Sequence, residues 1–210
     1  MKKGTMVNTN RTISRAVLAV GAALLMAALF AAAAFAVTNT SFSMVPSQGA
    51  QAIKNKCLEN ARANVSIRTV GGIQVMNVAL SGMPKNNAFA LFVLQNPNAP
   101  FGVSWYQGDI DTDSQGTGRT QVIGIFSEET FAFSPGRVPA PQVDDQDAAK
   151  VPVFDPVHTF HVGVWFSEPA QAKKAGCSNT VTPFDGDHEA GIQALSTQNF
   201  KQLGPLSKIK

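Results

Sequence analysis

The sequence predicts an all-β fold: a single antiparallel β-sandwich, Ig-like or Greek-key, of about seven strands with one short helix. Apolar and polar residues alternate over residues 64–69, which is the period of a strand with one solvated side. Glycine, proline, asparagine and aspartate separate several such short runs, as turns separate strands in all-β proteins. A partly closed β-barrel is the alternative arrangement.

A hairpin is the first element that the sequence defines. Two alternating runs, residues 64–70 and 73–80, flank Gly71 and Gly72, which supply the positive φ angles of a two-residue turn. Residues 88–94 follow and are apolar on both faces, as in a central strand that is covered on both sides.

Shorter patterns predict the remaining elements. Further strands are expected over residues 103–107, 120–126, 130–133, 159–166 and 190–196. Residues 111–118 are dense in turn formers and read as the loop of a hairpin. Ser167 can cap a short helix that has Pro169 in its first turn and ends at Gly176.

The strand over residues 159–166 should have two different faces, because successive side chains point to opposite sides. The even-numbered residues are expected to form core: Phe160, Val162, Val164 and Phe166. The odd-numbered residues are expected to face a second layer or a partner: Thr159, His161, Gly163 and Trp165. On this interpretation His161 keeps a partly exposed ring.

Residues 1–36 have the pattern of an export signal. Four basic residues precede an apolar run over residues 16–35: Lys2, Lys3, Arg11 and Arg15. Ala34-Phe35-Ala36 then matches the small-x-small pattern at which signal peptidase cuts. The prediction is a secreted protein whose mature chain starts at Val37. The alternative is an uncleaved N-terminal membrane anchor, since about 20 apolar residues can span a bilayer.

The rest of the chain divides by composition. Residues 37–62 are expected to be extended or partly helical, and residues 63–200 to form the β-sandwich. An irregular proline-rich loop is predicted within it over residues 134–157, and a flexible tail over residues 201–210.

The mature chain is nearly neutral, although the whole sequence is basic. The leader holds four of the 17 Lys and Arg residues, which leaves 13 of them against 14 Asp and Glu. Without an excess of positive charge there is no electrostatic support for binding nucleic acid.

The chain has two cysteines, Cys57 and Cys177. An even count in an exported protein is typical of a disulfide, and two buried thiols are the alternative. Two cysteines alone cannot form a four-ligand zinc site.

Two acidic clusters could carry chemistry. Asp109, Asp111 and Asp113 alternate as the ligands of a calcium loop do, although the later positions of such a loop do not match. A polar hairpin tip explains the same residues.

The second cluster consists of Asp185, Asp187, His188 and Glu189. Two carboxylates beside a histidine could perform acid–base catalysis or bind a metal ion. A solvated Asp-Gly turn before a strand is the alternative. His158 and His161 point to opposite faces of their strand, so at most one of them could join such a site.

An aromatic group completes the candidates. Phe101, Trp105 and Tyr106 could form a platform for sugars, or pack in the core. The sequence contains no G-x-S-x-G, H-E-x-x-H or P-loop motif, which disfavours the common hydrolases and nucleotide enzymes.

Two stretches, residues 79–118 and 162–197, resemble uncharacterised exported bacterial β-rich proteins of about this size. The first stretch is also similar, more loosely, to the extracellular β-rich half of some anti-sigma factors. There a G-x-P turn, an apolar strand and a D-x-x-G hairpin occur in the order seen here for Gly82-Met83-Pro84, residues 88–94 and Asp113-Ser114-Gln115-Gly116. The resemblance implies a fold and a location but no activity.

The leading functional hypothesis is a non-enzymatic extracellular or cell-envelope module that binds an envelope component or another extracellular ligand. No cofactor is expected unless calcium binds, and a membrane is contacted only through an uncleaved leader. A small secreted hydrolase or metal-dependent protein using residues 185–189 is one alternative, and a carrier of an apolar ligand is the other.

Overall fold

Antiparallel strands are the main secondary structure of the computed structural model, which describes residues 38–54, 56–127, 158–185, 188–200 and 203–209. Of residues 183–185 and 188 it describes the backbone alone. The described residues all belong to the compact unit Val37–Lys210. Three predicted segments lie outside them: the leader, the strand over 130–133 and the proline-rich loop over 134–157.

The strands are β1 Thr38–Pro46, β2 Arg62–Val70, β3 Ile73–Ser81, β4 Ala88–Leu94, β5 Ser104–Asp111, β6 Gly118–Gly124, β7 His161–Phe166, β8 Thr182–Asp185, β9 His188–Ala190 and β10 Gln193–Ser196. The helices of the described residues are α1 Gln48–Gln51, α2 Pro169–Lys174 and a 3-10 turn at Pro205–Lys208. Within these residues, no helix has the length and apolar character that spanning a membrane requires.

Eight strands form one sheet in the order β5-β4-β7-β10-β1-β2-β3-β6, and β8 and β9 form a separate two-stranded sheet. The sheet consists of two four-stranded halves that meet where β1 pairs with β10, at Val45–Ser196 and Pro46–Leu195. At the other margin a bridge between Thr112 and Gly118 links the ends of β5 and β6. The sheet is therefore nearly closed into a barrel. The all-β prediction is confirmed, in the barrel arrangement given as its alternative.

The first half contains β1, β2, β3 and β6, and its burial alternates along each strand. In β2, Ala63, Val65 and Ile67 point into the barrel while the residues between them are exposed. Gly71 and Gly72 take φ angles of 58° and 83°, which confirms the predicted two-residue turn between β2 and β3.

The second half contains β5, β4, β7 and β10, and three of these strands are covered on both sides. All six residues of β7 and all four of β10 are buried, as are the last six of β4. A small second core lies outside the barrel over this half. It consists of Ala90, Phe92, Leu94, Trp165 and Ala190, with Phe101 packed against it.

Gly163 makes this second core possible. A Cβ atom at Gly163 would collide with the indole ring of Trp165 and with Leu94, so the ring lies directly on the β7 backbone. The two faces of β7 thus follow the predicted division. Val162, Val164 and Phe166 join the barrel interior with Phe160 partly buried against it, and Trp165 joins the second layer.

One part of that prediction is wrong. His161 is only 2% exposed rather than partly solvated. Its Nδ1 lies 3.0 Å from Thr197 Oγ1, which also accepts the Val162 N–H at 3.1 Å. The histidine is a buried, hydrogen-bonded structural residue because the segment after β10 covers it.

The predicted disulfide is confirmed. Cys57 and Cys177 are bonded, with their Cα atoms 5.5 Å apart. The bridge links the segment that leads into β2 to the turn that follows α2, so it ties the two halves of the barrel together.

Three local expectations require correction. The β domain is not confined to residues 63–200, since β1 lies between β10 and β2 in the sheet and the barrel begins at Thr38. The helix α2 begins after Glu168 rather than Ser167, and no side chain caps it. Instead of a flexible tail, residues 205–208 form a 3-10 turn that buries Leu206, whose N–H donates to the Phe160 carbonyl at 3.1 Å.

Candidate functional site

The calcium candidates lie at the β5–β6 hairpin, with Asp109 and Asp111 exposed on β5 and Asp113 in the loop. Both oxygens of Asp113 are occupied by its own loop. The Gln115 and Thr117 N–H groups donate to Oδ1, each at 2.9 Å, and the Thr117 hydroxyl donates to Oδ2 at 2.6 Å. Asp113 thus organises the turn, as in the alternative interpretation of these residues.

These hydrogen bonds also act on the charge of Asp113. The bond from the Thr117 hydroxyl, followed by that from the Thr117 N–H, stabilises the ionised carboxylate and lowers the pKa of Asp113 below its usual value. Among the described residues, no three His, Cys, Asp or Glu side chains lie close enough together to hold one metal ion.

The second acidic cluster lies on the β8–β9 hairpin. Asp185 and His188 face each other in its backbone register, and Glu189 is exposed. Asp187 and the side chains of Asp185 and His188 lie outside the described residues, so their use as catalytic or metal-binding groups stays a prediction. Of the other histidines, His161 is the buried residue described above, and His158 stacks on Phe160 with the ring centroids 4.8 Å apart.

The three aromatic candidates do not form a single platform. Phe101 packs on the edge of Trp165 at 5.0 Å between centroids, where it covers the second core. Trp105 and Tyr106 remain 43% and 50% exposed on β5, and the Tyr106 ring contacts Phe92 at 5.8 Å.

A continuous array of polar residues lies on the outer side of the first half of the barrel. Its exposed polar residues, which we call the polar face, are Asn39, Ser41, Ser43, Asn64, Ser66, Arg68, Asn77, Arg119 and Gln121. These residues lie on β1, β2, β3 and β6, where alternation places them outward because the residues between them fill the barrel. The surface therefore follows directly from the two-residue period of these strands.

Strand register arranges these side chains in rows. Ser41, Ser66, Asn77 and Gln121 are opposite one another across the four strands, and Ser43, Asn64, Ala79 and Arg119 form the next row. Neighbours within a row are about 4.8 Å apart, and rows about 7 Å apart. The polar face is thus a regular array of hydrogen-bonding groups.

Hydrogen bonds within the array fix the orientation of its amides. Gln121 Nε2 donates to Asn77 Oδ1 at 2.7 Å, and Ser43 Oγ donates to Asn64 Oδ1 at 3.1 Å. Since each primary amide has two donors and one acceptor oxygen, each pair retains groups of both kinds that can bind a ligand.

The polar face carries positive charge only. Its strands contain Arg62, Arg68 and Arg119 but no Asp, Glu, Lys or His. Arg62 is the first residue of β2, and its guanidinium donates to the carbonyl oxygens of Glu59 and Ala61 rather than facing the groove. Arg68 and Arg119 are exposed, and in the part of the chain that the structure describes the one ion pair is Lys56–Glu59.

A groove of about 650 Å³ runs over this surface. Its lining includes the two central rows of the polar face and the backbone between them. The short side chain of Ala79, which lies between Asn64 and Arg119 in register, leaves room at the groove floor. This site was not predicted from the sequence, although the sequence contains the alternating Ser-x-Ser, Asn-x-Ser and Arg-x-Gln patterns that form it.

A second groove, which we call the end groove, has a different character. It has a volume of about 730 Å³ and lies between the α1 segment, residues 98–101, residues 178–182 and the start of β10. Its apolar lining includes Ile53, Phe101, Val181 and Ile192, and no charged residue contributes to it.

Comparison with known proteins provides no neighbour. No protein-family model, curated protein or solved structure matches this chain.

Proposed function

We propose that this protein is a non-enzymatic binding module of the cell envelope or extracellular space, and that it binds a polysaccharide on the polar face. The observation that carries the proposal is the pair of cross-strand rows of Ser, Asn, Gln and Arg in one open groove. A sugar presents many hydroxyl groups, each a donor and an acceptor, and these side chains match that chemistry.

The extracellular location is part of the same proposal. The leader with its Ala34-Phe35-Ala36 site and the resemblance to exported bacterial proteins support export. The Cys57–Cys177 bond supports an oxidising compartment, where disulfides persist.

A binding experiment tests the proposal. Mature protein starting at Val37 should be retained by purified bacterial cell walls or by insoluble polysaccharides in a sedimentation assay. Gln121→Leu should weaken that binding about tenfold, the equivalent of about 1.4 kcal/mol, because the replacement removes a ligand-facing amide and its bond to Asn77.

The matched control is Gln115→Leu, the same change at an exposed position of the β5–β6 loop. It should leave binding unchanged. Absence of binding to every polysaccharide, or equal binding by the Gln121 and Gln115 variants, would overturn the proposal.

The end groove supports a second candidate, a carrier of a small neutral apolar ligand. The barrel interior itself is filled, with side chains such as Met44, Phe89, Leu91 and Phe166 fully buried in it. A ligand would therefore bind at the end groove, where an apolar lining without charges favours a neutral molecule.

The neutral fluorescent probe N-phenyl-1-naphthylamine separates this candidate from the first. Saturable fluorescence enhancement that Val181→Lys abolishes would support a carrier, since the lysine places a charge in the groove. Ile123→Lys is the control, because Ile123 is an exposed apolar residue on β6, outside the groove. Enhancement that both variants reduce equally would contradict the candidate.

A further inference from the structure

We infer that the polysaccharide bound on the polar face is an anionic one, with carboxylate or other acidic groups along an extended chain. This inference rests on the proposed function and adds the chemical class of the ligand. It follows from the charges of the face and from their positions in the strand register.

The first observation is the uniform sign of the charge. Over β1, β2, β3 and β6 every charged residue is an arginine, whereas the predicted mature chain has 13 basic and 14 acidic residues. A one-signed positive surface on a nearly neutral protein attracts anions and disfavours a cationic ligand.

The second observation is the environment of the two arginines. Arg119 lines the groove next to Asn77 and Gln121 in the neighbouring row. Arg68 continues β2 beyond Ser66, and both arginines are exposed. An exposed guanidinium offers a planar fork of donors that matches a carboxylate.

The third observation is the distance between these charges. Arg68 and Arg119 lie two strands and two rows apart, which corresponds to about 17 Å between their backbones from the sheet spacings. Ser66 and Asn77 lie between them. A ligand that contacts both arginines and the amides between them must be an extended chain rather than a single small anion.

The polar face also lacks the exposed aromatic rings on which neutral sugars commonly stack. No Trp or Tyr occurs in β1, β2, β3 or β6, and the one Phe there, Phe42, points into the core with 8% exposure. Without an aromatic ring on which a sugar can stack, affinity depends on hydrogen bonds and charge. Charge-assisted hydrogen bonds are about twice as strong as neutral ones, which favours an acidic polymer.

The test compares two polymers that differ only in charge: polygalacturonate and its fully methyl-esterified form. Mature protein should bind polygalacturonate about tenfold or more tightly than the ester at low ionic strength. The preference should decrease as salt is raised from about 0.05 to 0.5 M, because screening weakens exposed charge pairs.

Arg119→Gln should weaken binding of polygalacturonate much more than binding of the ester, because it removes the charge of a groove-lining residue and keeps hydrogen-bonding groups. Lys85→Gln is the matched control, because it removes one positive charge from an exposed turn before β4, away from the face. The control should retain the preference.

The outcomes distinguish the two levels of the proposal. Equal affinity for both polymers, reduced alike by Gln121→Leu, would overturn the acidic class and leave polysaccharide binding intact. Absence of binding to either polymer and to cell walls would overturn both. Binding of a DNA duplex as tightly as polygalacturonate, and equally sensitive to Arg119→Gln, would show a general polyanion site and overturn the acidic-sugar assignment.

Discussion

The two halves of this barrel share one interior but differ on the outside. In the half formed by β1, β2, β3 and β6, alternation leaves an outer surface in contact with solvent that carries the polar face, no carboxylate, and the exposed apolar residues Val70, Ile73 and Ile123. In the other half, β4, β7 and β10 are buried on both sides, and a second core covers them. The residues of one half are thus free to bind a ligand, whereas those of the other stabilise the fold.

The largest effect is expected from the second core. Trp165 is fully buried there, between Phe92 and Phe101, so Trp165→Ala should reduce the free energy of unfolding by about 3–5 kcal/mol. Trp105 is half-exposed on β5, so Trp105→Ala should reduce the free energy of unfolding much less. Chemical denaturation midpoints of both variants measure this. Equal losses would show that the outer layer is not a core.

Removal of the disulfide should cause the second largest loss of stability, because the bridge connects the two halves. Cys57→Ser should lower stability by about 2–5 kcal/mol, the usual loss for a small domain that relies on a bridge. Reductant should lower the denaturation midpoint of the wild type but not that of the variant. A fully reduced wild type with an unchanged midpoint would contradict this expectation.

A smaller loss of stability is expected from a buried hydrogen bond in the second half. Thr197→Val removes the hydroxyl that contacts His161 and accepts the Val162 N–H, and should cost about 1–3 kcal/mol. Thr120→Val is the control, because it is the same change at a half-buried threonine of β6 that takes no part in the contacts of Thr197 with His161 and Val162. If both variants are equally stable, the buried hydroxyl contributes nothing to stability.

The features that sequence predicts well here are local. The turn at Gly71 and Gly72 needs positive φ angles that glycine adopts at no steric cost, so the β2–β3 hairpin is readable from adjacent residues. The same holds for β4, whose continuous apolar run already indicates that both faces are covered.

The features that sequence misses depend on distant partners. His161 is buried by Thr197, a residue 36 positions away, and nothing within β7 itself indicates that contact. The polar face forms only when β6 pairs with β3 and β1 with β2, so its rows cannot be read before the strand order is known. The even cysteine count predicted the disulfide, but not that it would join the two halves.

The smallest expected effect concerns Asp113, at the hairpin that links the two halves. Its pKa is lower in the folded protein than the ordinary value of 3.8, because the Thr117 hydroxyl and N–H donate to the carboxylate. A carboxyl group whose pKa is lowered by folding contributes stability above its unfolded-state pKa, and that contribution is lost as pH falls through the folded value.

Asp113→Asn should therefore destabilise the protein at pH 7, and the difference from wild type should shrink once the pH falls below the ordinary aspartate value of 3.8. Asp109→Asn is the matched control, because none of the loop hydrogen bonds reaches Asp109. Denaturation midpoints measured across this pH range give both differences. A difference for the Asp113 variant that stays constant with pH would mean that folding does not lower the pKa of Asp113, and would contradict this expectation. The turn would then depend on hydrogen-bond geometry alone, and the link between the two halves would be insensitive to acid.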